Sequence, residues 1–437
     1  MHKKMNIEYN DAIDFLYNQL PAFERVGDSA YKPGLERVLK LSSIFGNPHE
    51  KLKKVIHVAG TNGKGSTAHT LAAILQSAGY KTGLFTSPHL VDFRERMRIN
   101  GEMISKQDVI NFVNRFKAEG FDIFPSFFEL TTILAFKWFA ESNVDIAVVE
   151  VGLGGRLDST NIVNPDLCII TNISLDHTSL LGETQESIAY EKGGIIKNNI
   201  CTIIGEADEN LRRIFNEIAE SKKSEIVFAE DIKQIVSVSR TNHSLKYNTT
   251  SYGEFIGELS GDYQPKNSST VLTAISKLRQ LGFNITKLNV TQGFGSVSAL
   301  TGLQGRWMKI SDSPIAICDT GHNPGGWSYL VKQINELPGQ KHIIVGFVAD
   351  KDVVTILQMI ASTITNSLFY FTAPNCPRRL EAHDLMISAN ELGLEGEYYD
   401  DVRIAYKKAL AACDKGDSIF IGGSNYVTAE LLSIIEN

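Results

Sequence analysis

Apolar residues in this chain gather in short continuous runs rather than strict alternation. VIHVAG (55–60), KTGLFTS (81–87), IAVVEVG (146–152) and LCIITNIS (167–174) are the first four. Runs of this kind belong to parallel strands covered on both faces. Helical spacing fills the intervals, so strands and helices alternate from Lys54 to about residue 200. Residues before that read as helical, broken by a loop at GDSAYKPGLERV (27–38). Residues 226–259 change character: IVSVSR, SLKYNTT and EFIGELS are more polar and more alternating, which predicts an antiparallel appendage. A helix is expected after the QPKN segment (264–267), then a glycine-rich turn, GLQGRW (302–307). From Ile315 the rhythm restarts with IAICDTG, HIIVGFV, LFYFTAP and SIFIGGS, separated by helical patterns such as VRIAYKKALAAC.

Composition narrows the class. The 437 residues leave room for two or three domains. Hydrophobic content of 43% with 21% charged residues is that of a soluble globular enzyme. A net charge of −7 argues against non-specific binding to nucleic acid or an anionic membrane, so anionic ligands need local positive clusters. The five cysteines show neither CxxC pairing nor metal spacing, which indicates buried thiols in a reducing compartment. No apolar run reaches a membrane-spanning length and no apolar signal segment follows the basic N-terminus, so a cytoplasmic protein is expected.

The segment HVAGTNGKGS (57–66) carries the sharpest chemistry. An apolar strand runs into a loop with glycines at Gly60, Gly63 and Gly65, and a helix opens near Ser66. Glycines let main-chain N–H groups turn toward phosphate oxygens, and a helix N-terminus adds partial positive charge. Lys64 supplies a full charge and Ser66 a hydroxyl for Mg²⁺ or phosphate. The strict Walker A spacing is not met: Val58 stands where its first glycine belongs, and Gly65 follows the lysine. The pattern predicts a P-loop-type, mainly parallel α/β sheet domain over 1–298 and a smaller Rossmann-like α/β domain over 299–437. Ligands are expected near the carboxyl ends of the strands.

Other candidates also lie at strand ends. Ser87 follows one apolar run, Glu150 ends a second and His177 follows a third. A hydroxyl, a carboxylate and an imidazole could converge on a hard cation there, although imidazole is a less usual Mg²⁺ ligand. Taken singly, Ser87 also fits a turn cap and His177 a hydrogen-bonded core histidine. Arg156 and Asp158 sit in GGRLDSTN, whose glycines suggest close backbone approach to a ligand or a turn with an ion pair. Lys192 reads as an ordinary helix-end lysine. In the second block Asp319 and His322 flank the loop CDTGHNPGG, with Arg306 just upstream. An arginine there could reach phosphate charge, or lie on a hinge surface.

Together these segments resemble the Mur ligase superfamily, and within it folylpolyglutamate synthase and the bifunctional dihydrofolate synthase/folylpolyglutamate synthase. The motifs are GTNGKGS (60–66), TSPHL (86–90), SFFELTT (126–132), VEVGLGGRLDSTN (149–161), LDHTSLLG (175–182), EKGGIIK (191–197), GRW (305–307) and DTGHNP (319–324), in family order over most of the chain. The resemblance implies ATP-dependent joining of L-glutamate to dihydropteroate, to the γ-carboxyl of a folate, or to both. It implies that Gly60, Thr61, Asn62, Gly63, Lys64, Gly65 and Ser66 hold ATP with Asn267, Arg306 and Asp319. It implies two Mg²⁺ ions on Ser87, Glu150, His177 and Lys192, the lysine being carbamylated. Lys64, Lys192, His322 and Arg306 are the implied catalytic set. Ser126, Phe127, Phe128 and Glu129, with Arg156, Leu157, Asp158 and Ser159, match the segments that hold the pterin or folate. FERVGDSAYKPGLER (23–37) resembles the region that shapes the pterin site. Two departures stand out: DTGHNP for the common DGAHNP, and GSNYVT (423–428) for GSLYLV.

The implied mechanism activates a carboxylate as an acyl phosphate, which the amine of glutamate then attacks. His322 and His177 are both candidate general bases. Small-molecule substrates, no nucleic-acid or membrane partner and a monomeric state are the implied partners. Two other readings share parts of the pattern. Segments 86–90 and 126–132 argue against a muramyl-type ligase. The second α/β block, with Asp319 and His322, argues against a P-loop kinase or ATP-driven switch.

Overall fold

A computed structural model describes every residue except 1, 23, 24, 26, 28–32, 120–122, 242, 436 and 437. The chain divides into two units. The first takes Met1–Ser239, Leu245–Glu258 and Pro265–Leu303; the second takes Arg240–Ser244, Leu259–Gln264 and Gln304–Asn437.

The first unit is organised on an eight-stranded sheet. Its strands are β1 (Val55–Ala59), β2 (Thr82–Phe85), β3 (Met97–Ile99), β4 (Glu102–Met103), β5 (Ile146–Glu150), β6 (Leu167–Ile170), β7 (Thr202–Ile204) and β8 (Ile226–Phe228). Their order is β4-β3-β2-β5-β1-β6-β7-β8, parallel from β2 to β8, with the β3–β4 hairpin antiparallel at one edge. The continuous apolar runs are the central strands, every residue of β1, β2, β5 and β6 being buried. Both faces are covered, which is why the pattern is continuous. The helix Lys64–Ser77 is buried on every side from Ser66 to Leu75. Helix Lys287–Gly295 approaches it so closely that a Cβ on Gly293 would lie 2.6 Å from Ile74 Cα.

The polar, alternating region forms a separate three-stranded sheet of β9 (Ile235–Thr241), β10 (Ser244–Thr249) and β11 (Gly253–Gly257), with β10 and β11 antiparallel. It begins later than the change in composition. Ile226–Phe228 is instead the parallel edge strand β8 of the large sheet. A three-residue, half-covered edge carries too little pattern to declare its sheet. The helix after it opens at Gln264 itself, so the QPKN segment is its first turn.

The second unit carries a six-stranded sheet of β12 (Met308–Asp312), β13 (Ile315–Cys318), β14 (Lys341–Val345), β15 (Ser367–Thr372), β16 (Gly396–Tyr399) and β17 (Ser418–Gly422). Its order is β12-β13-β17-β14-β15-β16, parallel except for β12. β17 is the last strand in sequence but lies between β13 and β14. That insertion places the loops after β13 and β17 side by side, where a Cβ on Gly422 would lie 2.8 Å from Asp319 O.

Candidate active site

The phosphate-type loop joins β1 to the helix Lys64–Ser77. Gly60 has φ +142 and Gly63, the residue before the helix, φ +83. These values favour glycine. Space excludes a side chain as well: a Cβ would lie 1.9 Å from Thr171 Oγ1 at Gly60 and 2.2 Å from Asn267 Oδ1 at Gly63. Asn267 is thereby seated directly against the loop. Asn172, beyond β6, holds the other side, accepting from Thr61 N at its carbonyl (2.9 Å) and from Asn62 N at its side chain (3.0 Å). Thr171 Oγ1 donates to Asn62 O at 2.5 Å. Lys64 Nζ donates to Gly60 O (2.9 Å) and Thr61 O (3.0 Å), so its charge lies over the loop. Gly65 and Ser66 lie in the first turn of the helix, with Ser66 buried.

Three strand ends beside this loop carry the other candidates. Glu150 closes β5, 3% exposed, and its Oε2 accepts from Ser87 N at 3.1 Å, joining two of the expected metal ligands. His177 has φ 51, in the left-handed region, at the start of helix Thr178–Leu181, and its N–H donates to Asp176 Oδ1 at 2.9 Å. Lys192 is only 4% exposed, near the end of helix Gln185–Gly193. Burial, and next the charge of Lys64, push its amine down to about 7, against the pull of Asp176 and Asp158. The sequence pattern shows none of this: it presents an ordinary helix-end lysine. Among the described residues no group of three His, Cys, Asp or Glu side chains forms a metal-binding cluster. The expected ligand set contains only two of those types.

Ser126 and Glu129 form a reciprocal cap on helix Phe127–Glu141, with Ser126 N donating to Glu129 Oε2 and Glu129 N to Ser126 Oγ at 3.2 Å. Glu129 also pairs with Arg37 at 3.2 Å. Phe127 is buried beneath the Arg96 guanidinium, 5.0 Å from its ring centre. Phe128 points the other way and touches Gly152, where a Cβ would lie 2.4 Å from its ring. Most of the segment 23–37 lies outside the described residues.

Gly152–Ser159 follows β5. Asp158 is buried, and its carboxylate accepts from Leu153 N (2.9 Å), Thr160 N (2.9 Å) and Thr160 Oγ1 (2.5 Å). Burial pushes its carboxyl up, against these hydrogen bonds. Arg156 pairs with Glu191 at 2.7 Å and is half exposed, while Leu157 and Ser159 are partly exposed.

The loop after β13 is built differently. Asp319 is 2% exposed and accepts 2.7 Å bonds from Tyr263 Oη and Trp307 N on Oδ2 and from Gly321 N on Oδ1. Tyr263 was not singled out by its sequence; burial beside Asp319 pushes its phenol well up. Arg306 Nη1 donates to Gly305 O at 3.1 Å and to Thr320 Oγ1. Thr320 and Gly321 are the two residues that depart from the common motif, and here the Thr320 hydroxyl receives the arginine. Trp307 has φ 47, an uncommon conformation for an aromatic residue. His322 Nδ1 lies 3.0 Å from Thr320 O, a carbonyl that can only accept, so Nδ1 carries hydrogen. In the departing segment 423–428, Thr428 Oγ1 donates to Asp319 O at 3.2 Å.

Residues 58–275 match the Mur ligase middle domain, and residues 305–425 the Mur ligase, glutamate ligase domain. The chain is 32% identical over 425 residues to the dihydrofolate synthase/folylpolyglutamate synthase of Escherichia coli, covering 96% of each. A solved structure of E. coli FolC in complex with DHPP and ADP superposes with a TM-score of 0.83 at 31% identity, covering 98% of this chain and 97% of that one. A bifunctional folylpolyglutamate synthase/dihydrofolate synthase with Mn, AMPPNP and L-glutamate bound gives 0.78 at 29% identity, covering 93% and 95%. On these two domain matches and the full-length similarity, the chain belongs to the Mur ligase family, in its dihydrofolate synthase/folylpolyglutamate synthase branch.

Proposed function

We propose that this protein is an ATP-dependent ligase that adds L-glutamate to dihydropteroate, to the γ-carboxyl of a reduced folate, or to both, in folate biosynthesis and polyglutamylation. The observation that carries the reading is the pairing of a glycine phosphate loop with the buried, near-neutral amine of Lys192 in one unit. A simple kinase has no use for the second group.

The reaction forms a P–O bond between the γ-phosphorus of ATP and a substrate carboxylate oxygen, and breaks the β,γ-bridge to release ADP. The glutamate nitrogen then attacks the acyl carbon, the C–O bond to phosphate breaks, and the amine gives up a proton. Loop N–H groups and Lys64 hold the phosphates, with Asn267 bracing the loop. Arg306, held by Thr320, is the group assigned to offset developing phosphoryl charge, and Asp319 fixes the main chain around it. His322 suits the general base better than His177, because its Nδ1–H is already directed at Thr320 O. Phe128, Arg156, Leu157, Asp158 and Ser159 line the approach of the pterin substrate, while Ser126, Phe127 and Glu129 shape it through the helix cap.

Divalent metal fits the oxygen donors at Ser87 and Glu150, with His177 and Lys192 completing two Mg²⁺ sites; bound there, the metal offsets phosphate charge. The fit of Lys192 is chemical. A carbamate forms when a neutral amine bonds CO₂ and releases a proton, and an amine with pKa about 7 is substantially neutral at physiological pH. We place the protein in the cytoplasm as a monomer, without nucleic-acid or membrane partners. Support comes from its five free cysteines and its net charge of −7. Among the described residues no helix is long and apolar enough to cross a membrane. The domain division proposed is 1–298 for nucleotide binding and 299–437 for the glutamate-ligase domain.

The test is phosphate release with ATP, Mg²⁺ and L-glutamate, adding dihydropteroate or tetrahydrofolate separately. Release that requires glutamate and one pterin substrate is expected. Release independent of glutamate would overturn the reading.

A further inference from the structure

His57 takes no part in the chemistry above, yet it occupies the middle of β1. It is fully buried, in register with Val149 of β5 and Cys168 of β6. A polar ring there is costly unless its nitrogens are used. Nε2 lies 2.8 Å from Thr160 Oγ1, while Nδ1 has no partner among the described residues. Burial, and then the charge of Lys197, push its pKa down to about 3. The ring is therefore neutral and carries one hydrogen, on one nitrogen or the other.

Hydrogen counting decides which. Thr160 has one hydroxyl hydrogen to donate. Asp158 Oδ1, 2.5 Å away, also accepts the Thr160 N–H, and Oδ2 accepts the Leu153 N–H. A carboxylate with main-chain donors on both oxygens is arranged as an acceptor, so Thr160 gives its hydrogen to Asp158. Its oxygen can then only accept from His57. The opposite polarity requires a protonated Asp158, a Thr160 hydroxyl donating to His57, and the imidazole hydrogen on Nδ1. There it would be a buried donor with no acceptor among the described residues, which is rarer than an under-used acceptor.

We propose that His57, locked as its Nε2–H tautomer, is a positioning residue that acts through Thr160 to hold Asp158 as a carboxylate and the Gly152–Arg156 loop against Lys192. The loop and the lysine are in intimate contact. A Cβ on Gly155 would lie 2.7 Å from Glu191 O and 3.0 Å from Lys192 Cα, and Arg156 N donates to Glu191 O at 2.7 Å. Asp158 ties that loop to the helix turn Ser159–Ile162, and His57 ties the turn to the central strand. The link to catalysis rests on Lys192 acting in the ligase reaction proposed above.

Two measurements test it. In full-length protein labelled with ¹⁵N-histidine, the signals of His57 are assigned by their loss in His57→Gln. A bare Nδ1 and a protonated Nε2 are expected at pH 7; a protonated Nδ1 would overturn the proposal. In the ligase assay, Thr160→Ser keeps the hydroxyl and Thr160→Val replaces it with a methyl group. Thr160→Ser should stay within about twofold of the parent, whereas Thr160→Val should lose roughly tenfold or more in kcat with the KM for ATP little changed. Equal activity of the two variants would overturn the proposal. The tautomer is read on the unmutated protein, so it decides even if Thr160→Val fails to fold. Glutamate-dependent turnover of the unmutated protein tests the functional reading separately.

Discussion

The loop after β1 and the loop after β13 are both strand-to-helix turns of mainly parallel sheets, but they handle charge in opposite ways. In the first, two lysines stand near each other, and Lys64 helps push the buried amine of Lys192 down to about 7. In the second, the charged group is the carboxylate of Asp319, already covered by three donors at 2.7 Å. The first arrangement is costly by itself and suited to an incoming anion. The second is settled in advance and suited to holding main chain and arginine in place. On the function proposed above, one region binds and reacts while the other orients.

The largest effect is expected at Lys64. Lys64→Ala should lower turnover by roughly a thousandfold, as loss of a phosphate-facing charge does, with an unchanged circular dichroism spectrum. Near-normal phosphate release would remove the first loop from the chemistry.

Lys192→Met should come next, with a loss of roughly a hundredfold in turnover and a gain in stability. The sign follows from proton binding. Between about pH 7 and 10.5 the unfolded chain holds a proton on Lys192 that the folded chain lacks, so stability rises with pH there. The cost of burying the amine is fully present below pH 7 and relieved as pH rises toward 10.5. In CO₂-depleted buffer the variant should therefore melt higher than the parent at pH 6.5, by roughly 5 °C, with the gap narrowed to about half by pH 9. Calorimetry at the two pH values checks this, and a lower midpoint at pH 6.5 would contradict it.

Tyr263→Phe sharpens the second half. Asp319 keeps its two main-chain donors, so the expected cost is about fivefold to tenfold in the KM for ATP, with kcat less affected. Thr320→Gly should be smaller still, about twofold to threefold in kcat, because Arg306 retains Gly305 O. A loss as large as that of Lys64→Ala at either position would mean that the second loop reacts rather than orients.

Much of the frame was legible in one dimension. β1, β2, β5 and β6 are buried on both faces, so continuous apolar runs marked them. The short strands β3, β4, β7, β8 and β16 were not legible, because two to four residues at or near a sheet edge carry too little pattern. Gly60 and Gly63 were readable as backbone requirements. Tyr263 was not, since its partner lies 56 residues away and nothing local marks a tyrosine as a carboxylate donor.

By itself the sequence determined the alternation of strands and helices, the place of the phosphate loop and the family to which the motifs belong. These are local matters: periodicity, glycine content and residue spacing travel with the chain. The burial of Lys192, the covering of Asp319, the seat of Arg306 on Thr320 and the proposed polarity of the His57–Thr160–Asp158 chain arise only in the folded chain. Protonation and hydrogen-bond direction depend on dielectric and on neighbours far apart in sequence, and those exist only once the chain has folded.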